Sequence, residues 1–241
     1  VAVTNQKGGS CKTVTAVNLA AALGERGKTV LLVDLDPQAT ASYHYGVRDA
    51  GRELLDVFVD NVDLSDVVVE TDVEGVDLAP SSAWLVGVEK ALAAEVGAET
   101  ILRTQLDAMD GYDFALLDCP PSLGTLTVNA LAASESVLVP VAAHISAAVG
   151  LVQLNHTLDL VRDRLNPGLR VLGILPCRVD RRSKHPQEVV DLLRTRYGRE
   201  VFDTVVRENV KVAEAVPHGK PVTLYAPRSP GAEDYRAVAG E

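Results

Sequence analysis

Cysteine is scarce in this chain. The three present, Cys11, Cys119 and Cys177, lie far apart and form no C-x-x-C pair. That spacing argues against a disulfide framework or a zinc site and points to a reducing cytosol. No apolar run approaches the roughly eighteen residues that a membrane span needs. No basic stretch precedes the apolar residues of "VAVTNQKGG", so no signal peptide is expected. Repeats, low-complexity tracts and linkers are also missing. The 241 residues, 47% of them apolar, are enough for one large domain, 1–241, with a sizeable core.

Positive charge is the other shortage, but it is unevenly distributed. The net charge of −10 on its face argues against nucleic acid as a partner. Between Arg162 and Lys220, however, thirteen Lys and Arg face eight Asp and Glu, while the remainder of the chain holds ten basic against twenty-five acidic residues. An acidic body with a basic C-terminal third can present one basic face, although solvated helix surfaces would give the same count.

Short β-branched runs alternate with longer segments of helical periodicity. Strands are expected at 1–5, 29–36, 76–79, 114–118, 136–141, 170–176 and 202–206, several of them apolar on both faces. Helices are expected at 12–26, 100–109, 124–133, 147–165 and 187–197. This alternation predicts an α/β fold, a doubly wound and mostly parallel sheet flanked by helices. In such sheets ligands bind beyond the carboxyl ends of the strands. Four polar or Gly-rich stretches fall there: "NQKGGSCKT", "DLDPQ", "DCPPS" and "ENVKVAEA".

The first stretch resembles a phosphate loop but fails the ordinary G-x-x-x-x-G-K-[ST] pattern twice, at Gln6 and at Cys11. Its chemistry still suits a phosphate. Backbone N–H groups from Gly8 to Thr13, with the start of the following helix, make an anion cradle. Lys12 would reach the β- and γ-phosphates and the Thr13 hydroxyl would hold Mg²⁺. Gly8 and Gly9 let the backbone approach without a Cβ in the way. A plain Gly-rich turn would explain the glycines but not a Lys-Thr pair one step inside a helix. Asp34 and Asp36 alternate with Leu35 at the end of a strand: one is expected at the sheet edge, the other toward the phosphates. Asp118 closes the apolar run "FALLD", the form expected of a carboxylate near bound Mg²⁺. Pro120 and Pro121 end that strand. Cys119 is expected as a packed small residue, Trp84 as packing at a helix start, and His44 in "SYHYG", like His144, His156, His185 and His218, has no companion ligands at metal spacing.

Taken together, "NQKGGSCKT…AVNLAAALGERGKTVLLVDLDPQ", "LLDCPPSLGTLTVNAL" and "ENVKVAEAVPHGKPV…YAPRSPGAEDY" resemble the ParA/Soj family of DNA-partitioning ATPases, in order and spacing, over nearly the whole chain. The family's loop is the deviant Walker A, K-G-G-x-G-K-T, whose first Lys is its signature, so position 6 is not glycine there. The resemblance implies ATP and Mg²⁺ as cofactors and an ATP-dependent sandwich homodimer. It implies nucleotide contacts from Lys7, Gly8, Gly9, Ser10, Cys11, Lys12, Thr13, Val14 and Asn209. Lys7 would cross to the partner's phosphates, Lys12 would serve its own nucleotide, and Asp36 would orient the attacking water. Thr13, Asp36 and Asp118 would lie at the metal. Further implications are nonspecific DNA binding late in the chain, a ParB-like centromere-binding partner, and a bacterial, cytoplasmic, nucleoid-associated location. The densest basic cluster, "CRVDRRSKH", together with later residues, makes Arg181, Arg182, Lys184, Lys211 and Arg207 the candidate DNA-phosphate contacts.

Three departures stand out. Cys11 replaces the family glycine, Val14 replaces the usual Thr, and Glu208 replaces a frequent basic residue. A Cβ at a positive φ costs roughly 1–2 kcal/mol, so Cys11 is expected to strain the loop and weaken nucleotide binding. A nucleotide-sensing switch with little hydrolysis is one alternative reading. Another is a MinD-like membrane-positioning ATPase, which would need a basic amphipathic tail. The acidic "GAEDYRAVAGE" is not one, so no membrane partner is expected. Cys11 and Cys119 fall on adjacent parts of the expected site, but a reducing cytosol argues against a disulfide between them.

Overall fold

The structure, a computed structural model, describes residues 1–144, 147–180 and 182–241, with side chains throughout except at 147–150 and 184. One eight-stranded sheet organises it. The strands are β1 (Ala2–Val3), β2 (Val30–Asp34), β3 (Val69–Glu70), β4 (Val76–Ala79), β5 (Phe114–Asp118), β6 (Ser136–Ala142), β7 (Arg170–Val179) and β8 (Val206–Arg207). Their order is β3-β4-β2-β5-β1-β6-β7-β8, and every pair is parallel except β3–β4. β2 and β6 are buried along their whole length, which is why "VLLVD" and "SVLVPVA" read as continuous rather than alternating. β2 lies on one side of β1 and β6 on the other, so the loop leaving β1 sits where the winding reverses.

The helices are α1 (Lys12–Gly24), α2 (Thr40–His44), α3 (Leu54–Val59), α4 (Val88–Ala91), α5 (Ile101–Asp107), α6 (Thr125–Ala133), α7 (Ala147–Arg164), α8 (Lys184–Tyr197), α9 (Val210–Ala215), α10 (Val222–Tyr225) and α11 (Pro230–Val238). α1, α5, α6, α7 and α8 fall where periodicity placed them, whereas α11 was not expected. α8 begins a turn earlier than expected because Pro186 lies in its first turn, where a missing N–H loses no helical bond. The short helices α2, α3, α4, α9 and α10 have too few residues to show a period. The expected strand at 202–206 reduces to β8, preceded by a lone bridge from Val201 to Ile174.

Eleven of the thirteen α1 residues are buried, because the helix lies between the sheet and the C-terminal helices. Small residues permit this: Ala16, Ala20, Ala21 and Ala22 face the interior, and a Cβ on Gly24 would collide with the Glu74 carbonyl. Buried Asn18 links the layers. Its Nδ2 donates to the Val14 carbonyl at 2.7 Å, and its Oδ1 accepts from the Val222 N–H at 2.6 Å. α11 packs Ala232, Tyr235 and Val238 into the same layer and pairs Arg236 with Glu25 at its rim. Its apolar face is therefore covered by protein. Among the described residues no helix is long and apolar enough to cross a membrane.

Candidate nucleotide site

The site grows from the carboxyl end of β1. Asn5, just beyond the strand, anchors the loop base: its Nδ2 donates to the Pro140 carbonyl at 2.8 Å, and its Oδ1 accepts from the Lys7 N–H at 3.1 Å. Gly8 and Gly9 are exposed, and Gly9 sits at φ +72°. Cys11 follows at φ 72°, ψ 21°, the left-handed conformation that glycine adopts without penalty. The strain expected of a Cβ at this position is thus present in the backbone. α1 starts at Lys12 with no side-chain cap and no acidic residue in its first turn. Its first N–H groups and positive dipole end are left facing the loop, which suits a phosphate.

Lys12 is only 7% exposed, and burial pulls its ammonium pKa down against the opposing charges of Asp118 and, more weakly, Asp36. Asp118 ends β5 fully buried, and neither carboxylate oxygen has a hydrogen-bond partner. Burial holds its pKa well above the carboxylate range; the charge on Asp34 adds to this, and the nearby Thr13 hydroxyl opposes it. A buried carboxylate without donors is costly unless a cation completes it. A hard divalent ion held by one hydroxyl and one or two carboxylates, with phosphate oxygens for the rest, fits this donor set. Among the described residues no cluster of three His, Cys, Asp or Glu forms a protein-only metal cage. The Ser10 hydroxyl is also buried and unpartnered in the cradle.

The two aspartates of "DLDPQ" part company. Asp34 is fully buried and structural: it accepts from the Ser42 N–H at 2.8 Å, the Ser42 hydroxyl at 2.7 Å and the Asp36 N–H at 3.2 Å. Burial raises its pKa to about 6 in spite of these bonds. Asp36 lies half-buried just past β2, its Oδ1 accepting from the Gln38 N–H at 2.9 Å, close enough to Lys12 and Asp118 to act on both electrostatically. The fold therefore gathers Lys12, Thr13, Asp36 and Asp118 around one loop.

Beside the loop opens a cavity of about 700 Å³, walled by Cys11 and Val14 from the loop side, Cys177 and Arg178 from β7, Asn209 ahead of α9, and Tyr235 of α11. Asn209 caps α9, its Oδ1 accepting from the Lys211 N–H at 2.9 Å. Sequence reasoning missed the β7 wall. Its position at a strand's carboxyl end was the available signal, but "PCRVD" carries no motif. Arg178 adopts φ +55° at a register shift in β7 and pairs with Glu208 at 2.9 Å across the cavity rim. Cys119, as expected, is packed, its thiol pushed up to about 12 by burial. Trp84 is not: it is 75% exposed.

The basic candidates separate. Arg181 lies outside the described residues, as does the side chain of Lys184 at the start of α8. Arg182 has a side chain 92% exposed and pairs with Asp180 at 3.2 Å. Arg207 does not present a free cation. It is held by Asp234 at 2.8 Å and Glu233 at 3.1 Å, and it donates to the Pro230 carbonyl, tying β8 to α11. Lys211 pairs with Glu214 at 2.6 Å.

A family model described as an AAA domain matches residues 1–171. The chain is 43% identical over 244 residues to the sporulation initiation inhibitor protein Soj of Bacillus subtilis (strain 168), covering all of this chain and 96% of the relative. It is 48% identical over 241 residues to the chromosome-partitioning ATPase Soj of Thermus thermophilus, covering all of this chain and 94% of that one. Among solved structures, a cobyrinic acid a,c-diamide synthase from Mycobacterium smegmatis with a bound ATP analog and magnesium superposes with a TM-score of 0.87 at 36% identity, covering 99% of this chain and 91% of that one.

Proposed function

Because the chain belongs to the Soj/ParA family of chromosome-partitioning ATPases, we propose that it hydrolyses ATP with Mg²⁺ to control a homodimer that holds DNA without sequence preference and acts in partition with a ParB-like partner. The observation that carries this reading is the unpartnered Asp118 carboxylate, buried beside Lys12 and Thr13 at an uncapped helix start. On this reading the N–H groups of Gly8 to Thr13 bind the phosphate chain and Lys12 neutralises charge on its outer end. Thr13, Asp36 and Asp118 hold the metal, which when bound offsets the negative charge of the phosphates. Asp36, at the mouth, orients water for attack on the γ-phosphorus, with ADP leaving. Catalysis is then positioning and charge stabilisation, with no covalent intermediate. The base and ribose fill the cavity beside Asn209. Lys7 reaches the phosphates of a second subunit, which makes the nucleotide the dimer's cross-link.

DNA phosphates meet Arg181, Arg182 and Lys184, of which Arg182 is exposed, with Lys211 exchanging Glu214 for phosphate; Arg207 holds α11 in place. Each subunit of an acidic chain supplies half of this surface, so retention requires ATP and weakens steeply with salt. The test is DNA retardation with ATP or ADP across a salt series, on wild type, Lys7→Ala, and Arg181→Glu with Arg182→Glu. Expected is ATP-dependent, salt-sensitive retention by wild type alone, with the double charge reversal still dimerising on a sizing column. Salt-insensitive binding, or full binding by the double variant, overturns the DNA surface. Dimerisation by Lys7→Ala overturns the cross-link.

A further inference from the structure

Cys11 occupies a conformation where any side chain costs roughly 1–2 kcal/mol relative to glycine, and nothing in the phosphate chemistry uses its thiol. Its surroundings do. The Cys11 thiol donates to the Gly9 carbonyl at 3.9 Å and the thiol of Cys177, at the carboxyl end of β7, to the Leu175 carbonyl at 3.4 Å, and the two cysteines act on each other electrostatically. Thr15, whose N–H closes the first α1 bond onto the Cys11 carbonyl at 2.9 Å, places its hydroxyl 3.9 Å from the same Cys177 sulfur. Both cysteines line the 700 Å³ cavity, and Cys11 is half-buried, so a small solute reaches it there. Cys119, as fully buried as Cys177, supplies the contrast: it is absent from the cavity wall.

We propose that Cys11 and Cys177 form a reversible dithiol–disulfide pair, oxidised by hydroperoxides, that disables the phosphate loop. The Cys11 sulfur attacks the peroxide O–O bond, giving Cys11 sulfenic acid and releasing an alcohol or water. The Cys177 sulfur then displaces hydroxide from Cys11, which leaves as water with the Cys177 proton, and the S–S bond closes. Two sulfurs each lose one electron, and the two peroxide oxygens gain them. Two thiols not yet bonded stand at van der Waals separation or beyond and must close to about 2.05 Å, so the bond draws Cys11 toward β7. The N–H groups on either side of Cys11 belong to the cradle and move with it. The register shift at Cys177–Val179 makes the β7 side less regular, but Cys177 itself is packed in the core, so the loop yields first. That the disulfide blocks nucleotide rests on reading the loop as the ATP site; that it forms does not.

The test uses the full chain, reduced and then exposed to hydrogen peroxide. Blocked with N-ethylmaleimide and unfolded, the oxidised protein should take up label only at Cys119, and its unlabelled mass should fall by about 2 Da. A peptide joining Cys11 to Cys177 should appear and vanish with dithiothreitol. ATP affinity, measured by calorimetry, should drop at least tenfold on oxidation and return on reduction. In Cys11→Gly the ratio of oxidised to reduced affinity should be one, and in Cys177→Ala no cross-linked peptide should form. Labelling of all three cysteines after peroxide, a Cys11 sulfinic acid without the cross-link, or a Cys11–Cys11 bond between chains overturns the pair. A mapped Cys11–Cys177 bond with unchanged ATP affinity overturns the regulation while leaving the chemistry standing.

Discussion

On the proposed reading Asn209 carries two tasks, a helix cap and a base contact, that one substitution can separate. Its Oδ1 is committed to the Lys211 N–H as the N-cap of α9, which leaves the amide Nδ2 as a donor on the cavity wall. Asn209→Ala removes both functions. Losing the cap costs about 1 kcal/mol, which for a chain of this size lowers Tm by roughly 2–4 °C. Losing one neutral hydrogen bond to a base acceptor costs about 0.5–1.5 kcal/mol, a two- to thirteen-fold weaker Kd for ATP. Asn209→Ser keeps a hydroxyl able to cap but too short to cross the cavity. It should melt within about 1 °C of wild type, since serine and asparagine cap equally well, yet bind ATP as weakly as the alanine variant. Differential scanning calorimetry without nucleotide and isothermal titration with ATP read the two effects independently. Wild-type affinity in both variants would refute the base contact. An equal loss of stability in Ser and Ala would refute the cap.

Asp36→Ala should still bind ATP but release phosphate about a hundredfold more slowly or less, the lower range for removing a group that positions a proton-transfer partner; unchanged turnover moves that task to Asp118 or Asp34. His44 is 1% exposed with neither ring nitrogen hydrogen-bonded, and burial drops its pKa to about 4 from an ordinary 6.5. The unfolded chain therefore takes up this proton first, so the contribution to stability is complete above about pH 6.5 and is lost as pH falls toward 4. At about 1.4 kcal/mol per unit this amounts to roughly 3 kcal/mol. His44→Leu should gain on wild type over that window in pH-dependent melts, and a pH-independent difference between the two would contradict the buried neutral imidazole.

The phosphate loop was legible in the sequence because everything it needs is contiguous. Two glycines, a Lys-Thr pair and the first turn of a helix form a cradle from backbone N–H groups that no distant residue has to supply. The strand and helix alternation was legible for the same local reason, since buried parallel strands show as unbroken apolar runs and α1 as a longer run rich in small apolar residues. Asp118 was marked by its place at the end of "FALLD". What the sequence could not carry were pairings across the sheet. β7 lies next to β8 and opposite the start of α1 only after long crossovers, so Cys177 as the neighbour of Cys11, and Arg178 as the partner of Glu208, have no trace in local spacing. Charge counting located the basic excess in the last third, but it could not see that Arg207 is bound by Asp234 and Glu233 while Arg182 is exposed. Nor could strand alternation tell which aspartate of "DLDPQ" turns inward. Packing of α2 against β2 decided that: Ser42 takes the Asp34 carboxylate, which leaves Asp36 at the mouth of the site.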